Sequence, residues 1–225
     1  MENYKKNLEL LTKNHVYSKE MEHDACGVGL IASTEGKKSR AIVEYGIEAL
    51  KAVWHRGAVD ADGKTGDGAG IHVEIPKDFF IEKIQVTGHD YDNSEICVGM
   101  IFLPRNDYSA QESCKTIVES ELTKNNFSIY GWRQVPVNSK VLGEKALQTM
   151  PEIIQVLFKP NDPNLLDKNL ERKIYEIRKR IENKAFDASL NNFYICSISS
   201  KSIIYKGLYL AEALSDFYLD LRDPR

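Results

Sequence analysis

The chain has 225 residues, 42% of them hydrophobic and 28% charged, which suits one sizeable core and excludes disordered and fibrous classes. Lys and Arg are scattered and the formal net charge is -3, so there is no basic footprint for nucleic acid. No apolar run approaches the roughly 18 residues that suggest a membrane span, and no membrane partner is expected.

Residues 1–25 are charged throughout and lack the apolar centre of a secretory signal, so a cytoplasmic location is expected. The four cysteines, Cys26, Cys97, Cys114 and Cys196, show neither C-x-x-C spacing nor histidines at zinc-ligand spacing. Free thiols and no metal site are therefore expected.

After the charged leader, the run from Cys26 to Ala32 is rich in strand formers and reads as a buried strand. Ser39 offers an N-cap to a helix whose apolar positions are Ile42, Tyr45, Gly46, Ala49, Leu50 and Val53. Residues 54–70, WHRGAVDADGKTGDGAG, read as a long loop, and Ile71, Val73 and Ile75 alternate as a half-buried strand ended by Pro76. Ile96 to Leu103 is a further apolar strand closed by Pro104.

Ser109 and Glu112 suggest a capping box for a helix with Cys114, Ile117, Val118 and Leu122 on one face. Phe127–Val137 and Ile153–Phe158 read as strands, with a short turn or helix at Leu142–Ala146 between them. Leu166, Leu170, Ile174, Ile177 and Ile181 stripe a long charged helix. Phe193–Ser199 and Ile203–Leu208 are strands around the turn Ser200–Ser202, and the tail starts a helix and a strand. This order suggests sheets covered by helices, an α+β protein.

The glycine-rich loop invites comparison with phosphate-binding motifs and fails it. Gly63-Lys64-Thr65 matches the end of a P-loop, but position 58, where the pattern needs glycine, is alanine, and a strand follows. Gly66, Gly68 and Gly70 also precede a strand, the wrong order for a dinucleotide turn. Glycines at this density let backbone turn tightly, with Asp62 and Asp67 bonding loop amides. Asp60, Asp62 and Asp67 are read as loop hydrogen-bonders, not metal ligands.

Two segments carry more information: HDACGVGLIA, residues 23–32, and HRGAVDADGKTGDGAG, residues 55–70. Together they resemble the start of the class II glutamine amidotransferase domain of the large subunit of glutamate synthases. The Cys-Gly start and the His-Arg-Gly are similar to class II amidotransferases in general. The extension from Ala61 to Gly70 resembles the glutamate synthase branch. The resemblance continues through Gly131-Trp132-Arg133, Val135-Pro136-Val137, Leu142-Gly143, Ala146, Pro151, Gln155, Phe193–Ser197, Tyr205–Gly207 and Phe217–Leu221.

This resemblance implies the N-terminal-nucleophile hydrolase fold, a four-layer αββα sandwich, here incomplete at the C-terminus. It implies that residues 1–25 are a propeptide and that residues 26–225 form the N-terminal part of the amidotransferase domain. Cys26 would then be the catalytic nucleophile, with Arg56 and Gly27 supporting its position. Glutamine would be the substrate, and the ammonia released would pass on to make glutamate from 2-oxoglutarate.

No cofactor is expected in this chain. FMN and an iron–sulfur cluster are expected in the remainder of a full synthase, with its synthase and FMN-binding domains, and in some cases a small electron-donating subunit, as partners. The carboxylate clamp and oxyanion residues of the family, in Arg-Phe-Ser-Thr and Asn-Gly motifs, occur nowhere in this sequence and are expected beyond Arg225. This chain alone is therefore expected to hydrolyse glutamine poorly. The competing reading is a truncated, non-catalytic or regulatory module on the same fold.

The residues themselves agree with that chemistry. A cysteine thiol titrates near 8.5 and an α-amine at about 7.7 to 8.0. A terminal cysteine therefore carries nucleophile and base together, and no Cys-His pair is needed. Packing alone would make Cys26 a small core residue, as it does Cys97, Cys114 and Cys196. His55 reads as an orienter of neighbouring turns, with a lesser claim on catalysis. Trp54 and Trp132 read as core.

Overall fold

The computed structural model describes residues 2–14, 26–53 and 58–225. It contains α1 (Glu2–Asn14), α2 (Arg40–Ala52), β1 (Ala69–Glu74), α3 (Lys77–Val86), β2 (Cys97–Leu103), α4 (Tyr108–Lys124), β3 (Phe127–Gln134), α5 (Glu144–Thr149), β4 (Glu152–Pro160), α6 (Asp167–Asp187), β5 (Tyr194–Ser199), β6 (Ser202–Gly207) and α7 (Leu214–Phe217). Four strands form an antiparallel sheet in the order β3-β4-β2-β5, and β1 pairs antiparallel with β6 in a second sheet.

The central strand β2 is apolar at nearly every position because it is covered on both faces. Cys97, Ile101 and Leu103 face the helical layer, where Cys114, Val118 and Leu122 of α4 and Leu170, Ile174, Ile177 and Ile181 of α6 are buried. Val98 and Met100 face the opposite way, into a core shared with Ile203 and Tyr205 of β6 and with Phe79, Phe80 and Ile84 of α3. Each fully buried aliphatic side chain here stabilises by roughly 1.5–3 kcal/mol. The layers are thus helices, four-stranded sheet, core and two-stranded sheet, with α2 set against β1.

Although β5 and β6 are consecutive, they do not form a hairpin: the chain changes sheets between them. Glu171 of α6 fixes this crossing by accepting from the backbone N–H of Ser200 (2.7 Å) and from the hydroxyls of Ser199 and Ser200 (2.9 and 2.7 Å).

Between the sheets lies a buried polar junction. Arg133 of β3 donates to both carboxylate oxygens of Asp220 (2.8 and 2.6 Å) and to Gln155 Oε1 of β4 (2.7 Å). Tyr205 of β6 donates to the same carboxylate at 3.3 Å. Four residues far apart in sequence thereby join both sheets to the C-terminal segment. Gly131, at a bulge in β3, has φ +147, and a Cβ there would stand 3.0 Å from that of Thr87, so only glycine fits.

Most expected elements are present; three expectations need correction, and one helix is added. Residues 26–32 form no strand: they are exposed, Val28 and Leu30 at 89%, because no backbone partner lies alongside them among the described residues. The cap of α4 is Asp107, whose carboxylate accepts from Ala110 N (2.9 Å); Ser109 already lies within the helix. The tail is a series of short helical turns, and its only extended feature is the bridge between Val137 and Tyr218. The helix α3, unread in the sequence, buries Phe79, Phe80 and Ile84.

Candidate active site

The four thiols separate into two groups. Cys26 is exposed, whereas Cys97, Cys114 and Cys196 are buried. Burial raises the Cys97 thiol well above its usual value and pushes Cys114 and Cys196 up to about 11. These three are inert core sulfurs, as their apolar periodic positions indicated. Cys26 is left as the thiol that a solute can reach.

Gly27 and the residues after it continue along the surface, and Gly29 passes beside Ala49 of α2. A turn closed by Gly36 N to Ser33 O (3.2 Å) leads into Ser39, which sits at the N-cap of α2 without a side-chain capping bond. Lys38 pairs with Glu74 of β1 at 2.7 Å and ties this lead-in to the second sheet. Trp54, His55, Arg56 and Gly57 lie outside the described residues, as does Ala25, so the expected support of Cys26 by Arg56 is not described. Trp132 is half-buried at the edge of the helical layer and donates to Glu119 at 2.6 Å, so it is less of a core residue than its type suggested.

From Ala58 the glycine-rich segment is better ordered than a loop. Ala58 N donates to the Asp67 carboxylate (3.0 Å), Asp67 N to Ala58 O (3.2 Å) and Asp60 N to Thr65 O (2.8 Å), and Val59 bridges Gly66. This is a narrow hairpin turned at Gly63, whose φ is +69. Asp62 accepts from the N–H groups of Lys64 and Thr65 (2.9 and 2.7 Å) and from the Thr65 hydroxyl (2.5 Å). Those bonds, the Thr65 hydroxyl first, hold its carboxyl well below the usual carboxylate range. The aspartates bond loop amides as expected, and Gly63-Lys64-Thr65 is a hairpin turn, not a phosphate cradle.

The remaining glycines serve close approach more than turning. A Cβ at Gly66 would lie 2.9 Å from Tyr209 O, and one at Gly70 would lie 2.7 Å from the Lys206 Cβ. Gly66 thus lies directly against the segment after β6, and Gly70, within β1, against Lys206 of β6.

The tip of the hairpin docks on α5. Lys145 donates to Asp60 at 2.6 Å, Ala146 N donates to Thr65 Oγ1 at 3.3 Å, and a Cβ at Gly143 would collide with the Asp62 carboxylate. Sequence reading missed this contact, whose only local trace is Asp-x-x-Thr facing Leu-Gly 80 residues on. Among the described residues, no three His, Cys, Asp or Glu side chains gather as a metal site, and no helix is long and apolar enough to cross a membrane.

An exposed cysteine, sealed companion thiols and a hairpin following His-Arg-Gly sit on an α+β scaffold, and residues 26–225 match the family Glutamine amidotransferases class-II. The chain belongs to that family, and the match begins at Cys26. Among curated relatives it is similar to the Glutamate synthase [NADPH] large chain of Azospirillum brasilense, 53% identical over 222 residues, covering 99% of this chain and 15% of the relative. It is also similar to Ferredoxin-dependent glutamate synthase 1, chloroplastic/mitochondrial, of Arabidopsis thaliana, 40% identical over 90% of this chain and 12% of the relative. Ferredoxin-dependent glutamate synthase 2 of Synechocystis is 38% identical over 90% of this chain and 13% of the relative. The chain thus spans about one-seventh of the length of these proteins.

Proposed function

We propose that this chain is the glutamine-hydrolysing portion of a glutamate synthase large polypeptide, with Cys26 as nucleophile after the Ala25–Cys26 bond is cut. The observation that carries this reading is the partition of the thiols: Cys26, at which the family match begins, is open, and the other three are sealed.

Once residues 1–25 are removed as a propeptide, the new α-amine takes the thiol proton and the thiolate attacks the side-chain amide carbon of glutamine. The amide nitrogen leaves as ammonia, taking a proton from the α-ammonium, and a γ-glutamyl thioester remains. Water, deprotonated by the same amine, opens the thioester, so that glutamine and water become glutamate and ammonia. Gly27 keeps the chain slim beside the thiol, and Arg56 is assigned to hold the terminal cysteine.

The complete domain is an αββα sandwich in this reading, and the glutamine carboxylate clamp and oxyanion donors, whose motifs this sequence lacks, are assigned to other parts of such a polypeptide. FMN and iron–sulfur groups, which carry electrons for amination of 2-oxoglutarate, are placed in that same remainder. A synthase partner domain receives the ammonia, and a small electron-donating subunit is a further partner in this reading.

The test is the intact mass and N-terminal sequence of the active protein. A chain beginning at Cys26 is expected, and an active protein that retains Met1 would contradict the reading.

A further inference from the structure

The helix α6 buries Leu170, Ile174, Ile177, Ile181 and Ala185 along a single stripe. Phe186 stands one step off that stripe and is 80% exposed, on a helix whose other outward positions are mostly charged. The turn that follows is fixed. Ser189 takes φ +57, and Leu190 N donates to Ala185 O and Ser189 N to Phe186 O, both at 2.9 Å. This helix stop folds the chain back beside its own last turn. Tyr194 of β5, 43% exposed, is held in turn: its ring leans on Phe102 at 5.8 Å, and Lys206 donates to its hydroxyl at 2.6 Å. Phe186, Leu190, Phe193 and Tyr194 line a groove of about 260 Å³, with the buried Ala185 and Ile195 behind them.

The groove is smaller than the roughly 300–1,000 Å³ of an ordinary ligand pocket, and it suits one or two apolar side chains. β5 is the edge strand of its sheet, but Arg178 donates to Ile195 O at 2.8 Å, which blocks addition of a further strand at that point. At about 200 Å² per aromatic side chain, Phe186 and Tyr194 expose roughly 250 Å² between them. That is a third of the roughly 800 Å² that each partner of a stable free-standing complex contributes. So small a patch holds a partner only when that partner is tethered, at an effective concentration of millimolar order. In the curated relatives the matching segment is 12–15% of one polypeptide, which supplies such a tether.

We propose that this groove docks another segment of the same large polypeptide, which inserts one or two apolar side chains between Phe186 and Tyr194. The inference rests on the reading of this chain as one portion of a glutamate synthase polypeptide. It concerns how that polypeptide is assembled and leaves the chemistry at Cys26 untouched.

The experiment uses the full polypeptide that the natural gene encodes, with Phe186 replaced by the photo-crosslinker p-benzoylphenylalanine. The purified protein is illuminated and the joined peptides are mapped by mass spectrometry, with the same replacement of Tyr175, 59% exposed on the same helix, as control. A crosslink from position 186 to an apolar segment outside residues 1–225, in a product of single-chain mass, is expected. Crosslinks confined to residues 1–225, a product of twice the chain mass, identical crosslinks from both positions, or none would overturn the proposal. Phe186→Ser alters an exposed position and spares the core, so the variant should fold. It is expected to speed hydrogen exchange in the docked segment by about tenfold, and unchanged exchange there would also overturn the proposal. A natural polypeptide no longer than this chain would sink the larger-polypeptide reading as well, whereas a long polypeptide without the crosslink would sink the docking alone.

Discussion

The four-stranded sheet and the segment beginning at Cys26 use the same vocabulary of small and branched apolar residues, but the molecule treats them in opposite ways. In the sheet, Cys97, Ile101 and Leu103 of β2 find helices on one face, and Val98 and Met100 find the second sheet on the other. In the segment, Val28, Leu30 and Ile31 stand exposed and make no ladder. Apolar composition therefore does not make a strand: backbone partners do. The difference also sorts the chemistry, because the same burial that stabilises the sheet silences its thiols.

The sharpest way to break this contrast is to attack the junction on which the sheets depend. Arg133→Ala would leave Asp220, its side chain 4% exposed, without its bidentate partner, and a loss of about 3–5 kcal/mol is expected. Urea unfolding of the variant beside wild type measures it, and a change below about 1 kcal/mol, the worth of an exposed pair, would show the junction to be weak.

A paired substitution sharpens the comparison next. Ile177→Ala empties a fully buried position between α6 and the sheet and is expected to cost about 2–5 kcal/mol. Leu30→Ala, at a position 89% exposed, is expected to change stability by no more than about 0.5 kcal/mol. Equal losses in the two variants would mean that the segment is buried in solution.

A further effect is one of pH, confined to alkaline solution. A group whose folded pKa is raised contributes stability below its unfolded pKa and loses it as pH rises through the folded value. Burial lifts Cys196 to about 11 from an unfolded value near 8.5, so its contribution fades across that alkaline window. Cys196→Ala should flatten the decline in melting temperature between these limits, and an unchanged slope would contradict the assignment.

Much of the fold was legible where a periodic pattern coincided with two-sided burial. The α6 stripe from Leu170 to Ile181 and the runs of β2 and β4 fall where their spacing put them. Cys26–Ala32 misled because a run of strand formers reports propensity and says nothing of who stands alongside. The helix α3 escaped notice although Phe79, Phe80 and Ile84 lie at helical spacing after Pro76.

Of the candidate site, Cys26 was legible through the residues shared with a family, and the aspartates of the hairpin through turn chemistry. Illegible were contacts between residues distant in sequence. The residues Gly131–Arg133, Gln155, Tyr205 and Asp220 all fall in segments that carried the resemblance, but nothing local tells that one buried ion pair unites them. The capping of α5 by Thr65 was hidden in the same way.

The central claim is that one thiol of the four does the chemistry. Peptide mapping after treatment of the active protein with diazo-oxo-norleucine tests it most directly. The account predicts a single adduct, on the sulfur of Cys26 in a peptide that starts at that residue, with loss of glutaminase activity in proportion to labelling. An adduct on Cys97, Cys114 or Cys196, or inactivation that leaves Cys26 unlabelled, would contradict it.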